Sequence, residues 1–141
     1  MSEKIFQLAY FSYANKILAE DELFALIDSA QVNNKKKSLT GMLVYNSGYF
    51  LQLLEGPEDV VKALMDKIVL DTRHNNVRKI FDNSTDKRIF GNWYMAYKNL
   101  DFLNHLLRQR VENLISQLAK SNQLQSKEDF LQVLQLMRSE F

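Results

Sequence analysis

Without cysteine and with only two histidines, this chain has few residues able to do chemistry. Disulfides, thiolate metal sites, thiol nucleophiles and cysteinyl cofactor links are closed to it. His74 and His105 lie 31 positions apart, outside the spacings that bring two ligands to one metal, so no metal site is expected. The 4 glycines build no phosphate-cradling loop, and no serine sits in a nucleophile elbow. What stands out is an amide, Gln52, in the middle of the apolar run Tyr49-Phe50-Leu51-Gln52-Leu53-Leu54. If buried it needs partners, because an unsatisfied amide costs about 1–3 kcal/mol. Its planar group carries a donor and an acceptor, so rotation reverses what it offers each neighbour, whereas an ionised glutamate only accepts. Tyr10 is an oxidisable phenol with a removable proton, and strand parity lets it share a face with Gln52 if their strands pair. Taken singly, each has a plainer reading: a backbone-bonded glutamine, a core tyrosine and, for Asn34, a helix C-cap.

Several elements must position these groups. Ile5–Phe11 reads as a strand, with Phe6, Leu8 and Tyr10 on one face and Ile5, Ala9 and Phe11 on the other. From Glu20 to Asn34, acids gather first and Leu23, Leu26, Ile27 and Ala30 recur at helical spacing. Leu39–Tyr45 and Tyr49–Glu55 form a hairpin around Asn46-Ser47-Gly48. Pro57 opens a second helix to about Asp71, with Val60, Val61, Leu64 and Ile68 as its apolar stripe. Val77–Phe81 and Trp93–Lys98 read as two further strands joined by a polar stretch containing Asp82, Asn83 and Asp86. The order β-α-β-β-α-β-β predicts an α/β (α+β) sandwich, ferredoxin-like with one added strand.

Two helices cover only one face of such a sheet, yet the third strand is apolar on both. The cover is expected from residues 100–141, where Leu100, Leu103, Leu107, Val111, Leu114 and Leu118, then Phe130, Leu131, Leu134 and Met137, recur at helical spacing. Ser126 is positioned to cap the second helix. The chain therefore reads as a domain over 1–99 with a helical hairpin packed on it.

A length of 141 residues, 46% hydrophobic and 25% charged, suits one globular domain, and no apolar run approaches a bilayer span. Met1 to Lys4 lead into a strand rather than a secretion signal, giving an expected cytoplasmic address. A net charge of +1 gives no electrostatic case for nucleic acid, and Lys35-Lys36-Lys37 reads as a solvated loop.

In combination, Leu8-Ala9-Tyr10-Phe11-Ser12, Asn33-Asn34 followed by Leu39-Thr40-Gly41, Phe50-Leu51-Gln52-Leu53-Leu54-Glu55-Gly56, Asp71-Thr72-Arg73-His74 and Trp93-Tyr94-Met95 resemble the BLUF family of blue-light receptors using flavin. The resemblance runs from about residue 4 to 99. It implies a flavin held non-covalently between the helices, FAD with FMN or riboflavin as alternatives. Tyr10 would be the electron and proton donor, and Gln52 the switch beside the ring. It implies that Asn34 bonds the polar edge of the ring and that Asn33, Lys67 and Asp71 contact the ring, side chain or phosphate. Ile27 and Ile68 are further contact candidates, and Arg73 and His74 would close the pocket mouth. Lys67 stands where many relatives carry arginine, a planar fork that lysine lacks. Trp93 and Met95 match a last-strand pair thought to exchange places near the glutamine.

With the chain ending at Phe141, no fused output enzyme is expected. Output would pass through a separate effector protein, with self-assembly into a homo-oligomer. Two alternatives differ in chemistry. A hydrolase resembling acylphosphatases is disfavoured because Ser12-Tyr13-Ala14-Asn15-Lys16 lacks an arginine or a glycine-rich phosphate nest. A flavin-free ferredoxin-like interaction module would be colourless.

Overall fold

The computed structural model describes residues 4–46, 48–121, 124 and 126–141. Ten elements follow one another: β1 (Ile5–Ala14), α1 (Glu20–Lys36), β2 (Thr40–Asn46), β3 (Tyr49–Gly56), α2 (Glu58–Leu70), β4 (His74–Thr85), β5 (Ala96–Lys98), a 3-10 turn (Leu100–Phe102), α3 (His105–Ser121) and α4 (Lys127–Arg138). The sheet order is β4-β1-β3-β2-β5. Its first four strands pair antiparallel in the ferredoxin-like arrangement, and β5 adds a parallel edge beside β2. The expected fold is the one found.

β3 is the central strand, and its alternation explains both layers. Phe50 and Leu54 join Phe6, Leu8, Tyr10, Leu43 and Tyr45 beneath α1 and α2, which bury Leu23, Ile27, Val61 and Met65. Leu51 and Leu53 join Ala9, Phe11, Met42 and Val44 on the opposite face. There α3 contributes Leu107, Val111, Ile115 and Leu118, and α4 contributes Phe130, Val133, Leu134 and Met137. At roughly 1.5–3 kcal/mol for each large side chain removed from water, this hairpin offsets what would otherwise be an exposed apolar sheet face. Ser126 caps α4 as expected, its Oγ accepting from the Asp129 amide at 3.1 Å.

Two glycines are dictated by the pairing. A Cβ at Gly41 would stand 2.0 Å from the Leu53 carbonyl oxygen across the β2–β3 pair, so only glycine fits. Gly48, at φ +95, supplies the left-handed residue of the hairpin turn. Ser47, the other residue of that turn, lies outside the described residues, as do Met1–Glu3 at the start of the chain.

Several boundaries differ from those the sequence predicts, among them the end of β1, which runs past Phe11 to Ala14. α1 continues past Asn34 to Lys36, and Ser38 rather than an asparagine takes the left-handed conformation beyond its end, at φ 57. β4 runs from His74 to Thr85, not Val77–Phe81, because pairing with β1 from Ile5 to Ala14 recruits the polar stretch as an edge strand. Trp93 and Met95 precede β5, which is only three residues long. Leu100 and Leu103 are buried, but in and just after the 3-10 turn; α3 starts at His105. Among the described residues, no helix is long and apolar enough to cross a membrane.

Candidate functional site

On the α1/α2 face a cavity of about 430 Å³ opens between the helices. α1 presents Leu26, Ser29, Ala30, Asn33 and Asn34 to it, and α2 presents Leu64, Lys67 and Ile68, in each case a stripe at helical spacing. Lys37 and the Asp71–His74 turn close the rim, and Tyr10, Leu43, Phe50, Gln52 and Met95 form the floor. The cavity thus has apolar walls, amide groups at the floor and one helix, and charge at its mouth. That combination fits a planar heteroaromatic group with a polar edge and an anionic tail.

Tyr10 and Gln52 are direct cross-strand partners on β1 and β3. The Tyr10 hydroxyl donates to Gln52 Oε1, and Gln52 Nε2 faces Met95 Sδ at 3.5 Å. A thioether is a weak acceptor, so this side of the amide holds a donor with little to bond. Burial pushes the Tyr10 phenol up, beyond its ordinary value near 10.0; the Asp71 charge adds to this and Arg73 opposes it. The phenol is therefore protonated at any physiological pH.

His74 braces the floor from the side. Its Nε2 lies 2.6 Å from the Ile68 carbonyl, which can only accept, so Nε2–H donates to it, while Nδ1 is hydrogen-bonded with Ser12 Oγ at 2.9 Å. The ring meets Tyr10 edge-on, with centroids 6.0 Å apart. At the mouth, Arg73 grips the Asp71 carboxylate through Nε at 3.0 Å and a terminal nitrogen at 2.5 Å. This hydrogen bonding holds the Asp71 carboxyl down to about 2. The remaining mouth cations, Lys37 and Lys67, have no acidic partner among the described residues.

The structure brings together Tyr10, Asn33, Asn34, Gln52, Lys67, Ile68, Asp71, Arg73, His74 and Met95. It does not bring in two expected residues. Ile27 is buried beneath the cavity on the sheet-facing stripe of α1. Trp93 packs on the opposite sheet face, against Phe90 and Phe141. Asn34 is buried and its Nδ2 donates to the Tyr94 carbonyl at 2.7 Å, while Gln31 Nε2 donates to the Met95 carbonyl at 3.1 Å. Lys37, Ser29 and Phe50 also line the cavity but were not singled out from sequence. The α1 periodicity carried the signal for the first two: positions 26, 29, 30, 33 and 37 form one stripe.

The family model described as sensors of blue-light using FAD matches residues 5–96. The chain belongs to the BLUF family. Residues 5–96 form a flavin-binding blue-light sensor domain. The photoactivated adenylate cyclase subunit alpha of Euglena gracilis is 33% identical over 119 residues, covering 84% of this chain and 12% of that protein. Among solved structures, a bacterial light-regulated adenylyl cyclase is similar at 30% identity and a TM-score of 0.73, covering 84% of this chain and 35% of its own. The photo-activated state of BlsA is similar at 25% identity and a TM-score of 0.79, covering 95% and 94%. The chain spans only 9–13% of the length of the photoactivated adenylate cyclase relatives it matches.

Proposed function

We propose that Tyr10, Gln52 and Met95 are the light-operated switch of this BLUF domain. We further propose that the flavin it holds bears phosphate, as FAD or FMN do and riboflavin does not. The hydrogen bond from the Tyr10 hydroxyl to Gln52 Oε1 on the cavity floor carries the first part. When bound, the flavin supplies the chromophore and, once excited, an acceptor for one electron. Tyr10 is placed to give that electron, and the proton it then sheds has a route along its existing hydrogen bond to the Gln52 oxygen. Gln52 answers by turning or changing tautomer, which takes Nε2 off the Met95 sulfur and gives it to a better acceptor. Asn33 and Asn34 offer amides to the ring edge, and Leu26, Ala30, Leu64 and Ile68 exclude water from its faces.

The phosphate reading rests on charge. Lys37, Lys67 and Arg73 stand at the mouth against one acid, Asp71, which is already paired with Arg73. Titration of the apoprotein with FMN and with riboflavin tests it. FMN binds at least about tenfold tighter, and the advantage shrinks in high salt because the lysines are exposed. Equal affinities at low salt would refute it.

Output is proposed to leave through residues 100–141 to a separate effector protein, with self-association of the sensor. Phe102 and Leu106, exposed at 78% and 71%, are apolar groups on that layer available for such contacts.

A further inference from the structure

A polar row crosses the sheet on the face away from the cavity, where an apolar core would be expected. Asn83, Gln7, Glu55 and Thr40 are successive cross-strand partners on β4, β1, β3 and β2. Gln7, Glu55 and Thr40 are buried, Glu55 with no exposed surface at all. A buried carboxylate is tolerated only when its charge is met by donors. Glu55 has three: the Ile89 amide at 2.6 Å and the Gln7 side chain at 2.8 Å on Oε2, and the Phe90 amide at 2.7 Å on Oε1. Asn83 Nδ2 completes the row by donating to Gln7 Oε1 at 3.1 Å. Arg88 folds over it, donating to the Glu55 carbonyl, Thr40 Oγ1 and the Ser38 carbonyl.

The segment so gripped leads straight to the switch. Ile89 and Phe90 lie in the core beneath the C-terminal helices, and Phe90 meets Phe141 at 5.8 Å. The Trp93 amide donates to the Phe90 carbonyl at 3.1 Å, and the Trp93 carbonyl accepts from Gly41 at 3.2 Å. Met95 then arrives on the cavity side, against Gln52. Residues 89–95 thus pass from one sheet face to the other, and Glu55 stands three residues from Gln52 on the same strand.

We infer that Glu55 is a positioning residue for signal output: it anchors the far end of the 89–95 segment to β3, so that displacement of Met95 by Gln52 moves Trp93. A slack loop would absorb that displacement; a connection fixed by charge-assisted bonds at one end transmits it. Glutamate is required because all three neighbours are donors. A glutamine there would turn its own NH2 towards at least one of them, releasing Phe90, or Ile89 together with Gln7.

This inference rests on the sensor reading, and the experiment separates the two. Flavin-loaded Glu55→Gln and wild-type protein are illuminated with blue light while flavin absorption and emission of Trp93, the sole tryptophan, are recorded. The variant keeps the red shift, which is made at Tyr10 and Gln52. Its light-induced change in Trp93 emission falls about threefold or more, as expected for coupling weakened by one ordinary hydrogen bond. An undiminished emission change, or loss of the red shift with flavin still bound, would overturn the assignment. Absence of a red shift in wild type would instead remove the sensor mechanism itself. Should the variant not fold, hydrogen exchange of wild type decides: the Ile89 and Phe90 amides stay protected in darkness and in light, and exchange as fast as at exposed Gly91 would contradict an anchor.

Discussion

Replacing Gln52 by leucine separates the switch from the cavity that houses it. In the present arrangement the amide accepts from Tyr10 and spends its donor on a sulfur 3.5 Å away. Moving that donor onto a carbonyl oxygen is therefore worth about one net hydrogen bond, roughly 0.5–1.5 kcal/mol. Against a blue photon of roughly 60 kcal/mol, an excited-state preference of about 1 kcal/mol from that one bond is some 2% of the energy, which gives a red shift of roughly 5–10 nm. Leucine has no donor to move, so Gln52→Leu binds flavin and shows no such shift in its light-minus-dark absorption. The substitution also strips the 4%-exposed Tyr10 of its hydroxyl partner, at about 1–3 kcal/mol before water enters the open cavity. Thermal unfolding of the apoprotein should fall by several degrees, at roughly 3–4 °C per kcal/mol for a chain of this size. A leucine variant with flavin bound and the full red shift would refute the assignment of the amide as switch.

Tyr10→Phe keeps the ring and removes the transferable proton. Photoproduct yield under pulsed blue light drops more than about tenfold, the factor that ~1.4 kcal/mol in one barrier already gives, and an unchanged yield would point to another donor. Trp93, on the opposite sheet face, is poorly placed to be that donor. Burial raises the Tyr10 phenol, and Tyr97 is raised for the same reason, so both stay neutral in the folded chain after the unfolded chain has begun to ionise. Their contribution to stability is complete below pH ~10 and is lost as pH rises beyond it, by up to about 1.4 kcal/mol per pH unit for a fully buried phenol. Denaturant unfolding at pH 9 and 11 checks this, and stability that is flat or rising across that range would contradict it.

The sequence carried most of the site because the site lies on regular elements. Strand parity aligned Tyr10 with Gln52, and the family resemblance singled out Asn33 and Lys67, which α1 and α2 present to the same cavity. It failed where tertiary context overrides local pattern. The residues Asp82–Thr85 read as a linker because an edge strand needs no apolar alternation on its open side, yet β1 pairs with all of them. Trp93 and Met95 read as neighbours in one strand, but the segment turns through the sheet edge and sends them to opposite faces. The Asn83-Gln7-Glu55-Thr40 row was invisible, since each member looks like an ordinary surface residue until the register is known.

The amide of Gln52 can be watched directly. Side-chain NH2 signals of glutamine in 15N-labelled, flavin-loaded protein, with the Gln52 pair assigned by its loss in the leucine variant, are recorded in darkness and under blue light. Light shifts the Gln52 pair and returns it in darkness at the rate of colour recovery, whereas the pair of Gln109, a solvent-exposed residue of α3, stays where it was. A Gln52 pair that holds its position while the colour changes would contradict the central claim.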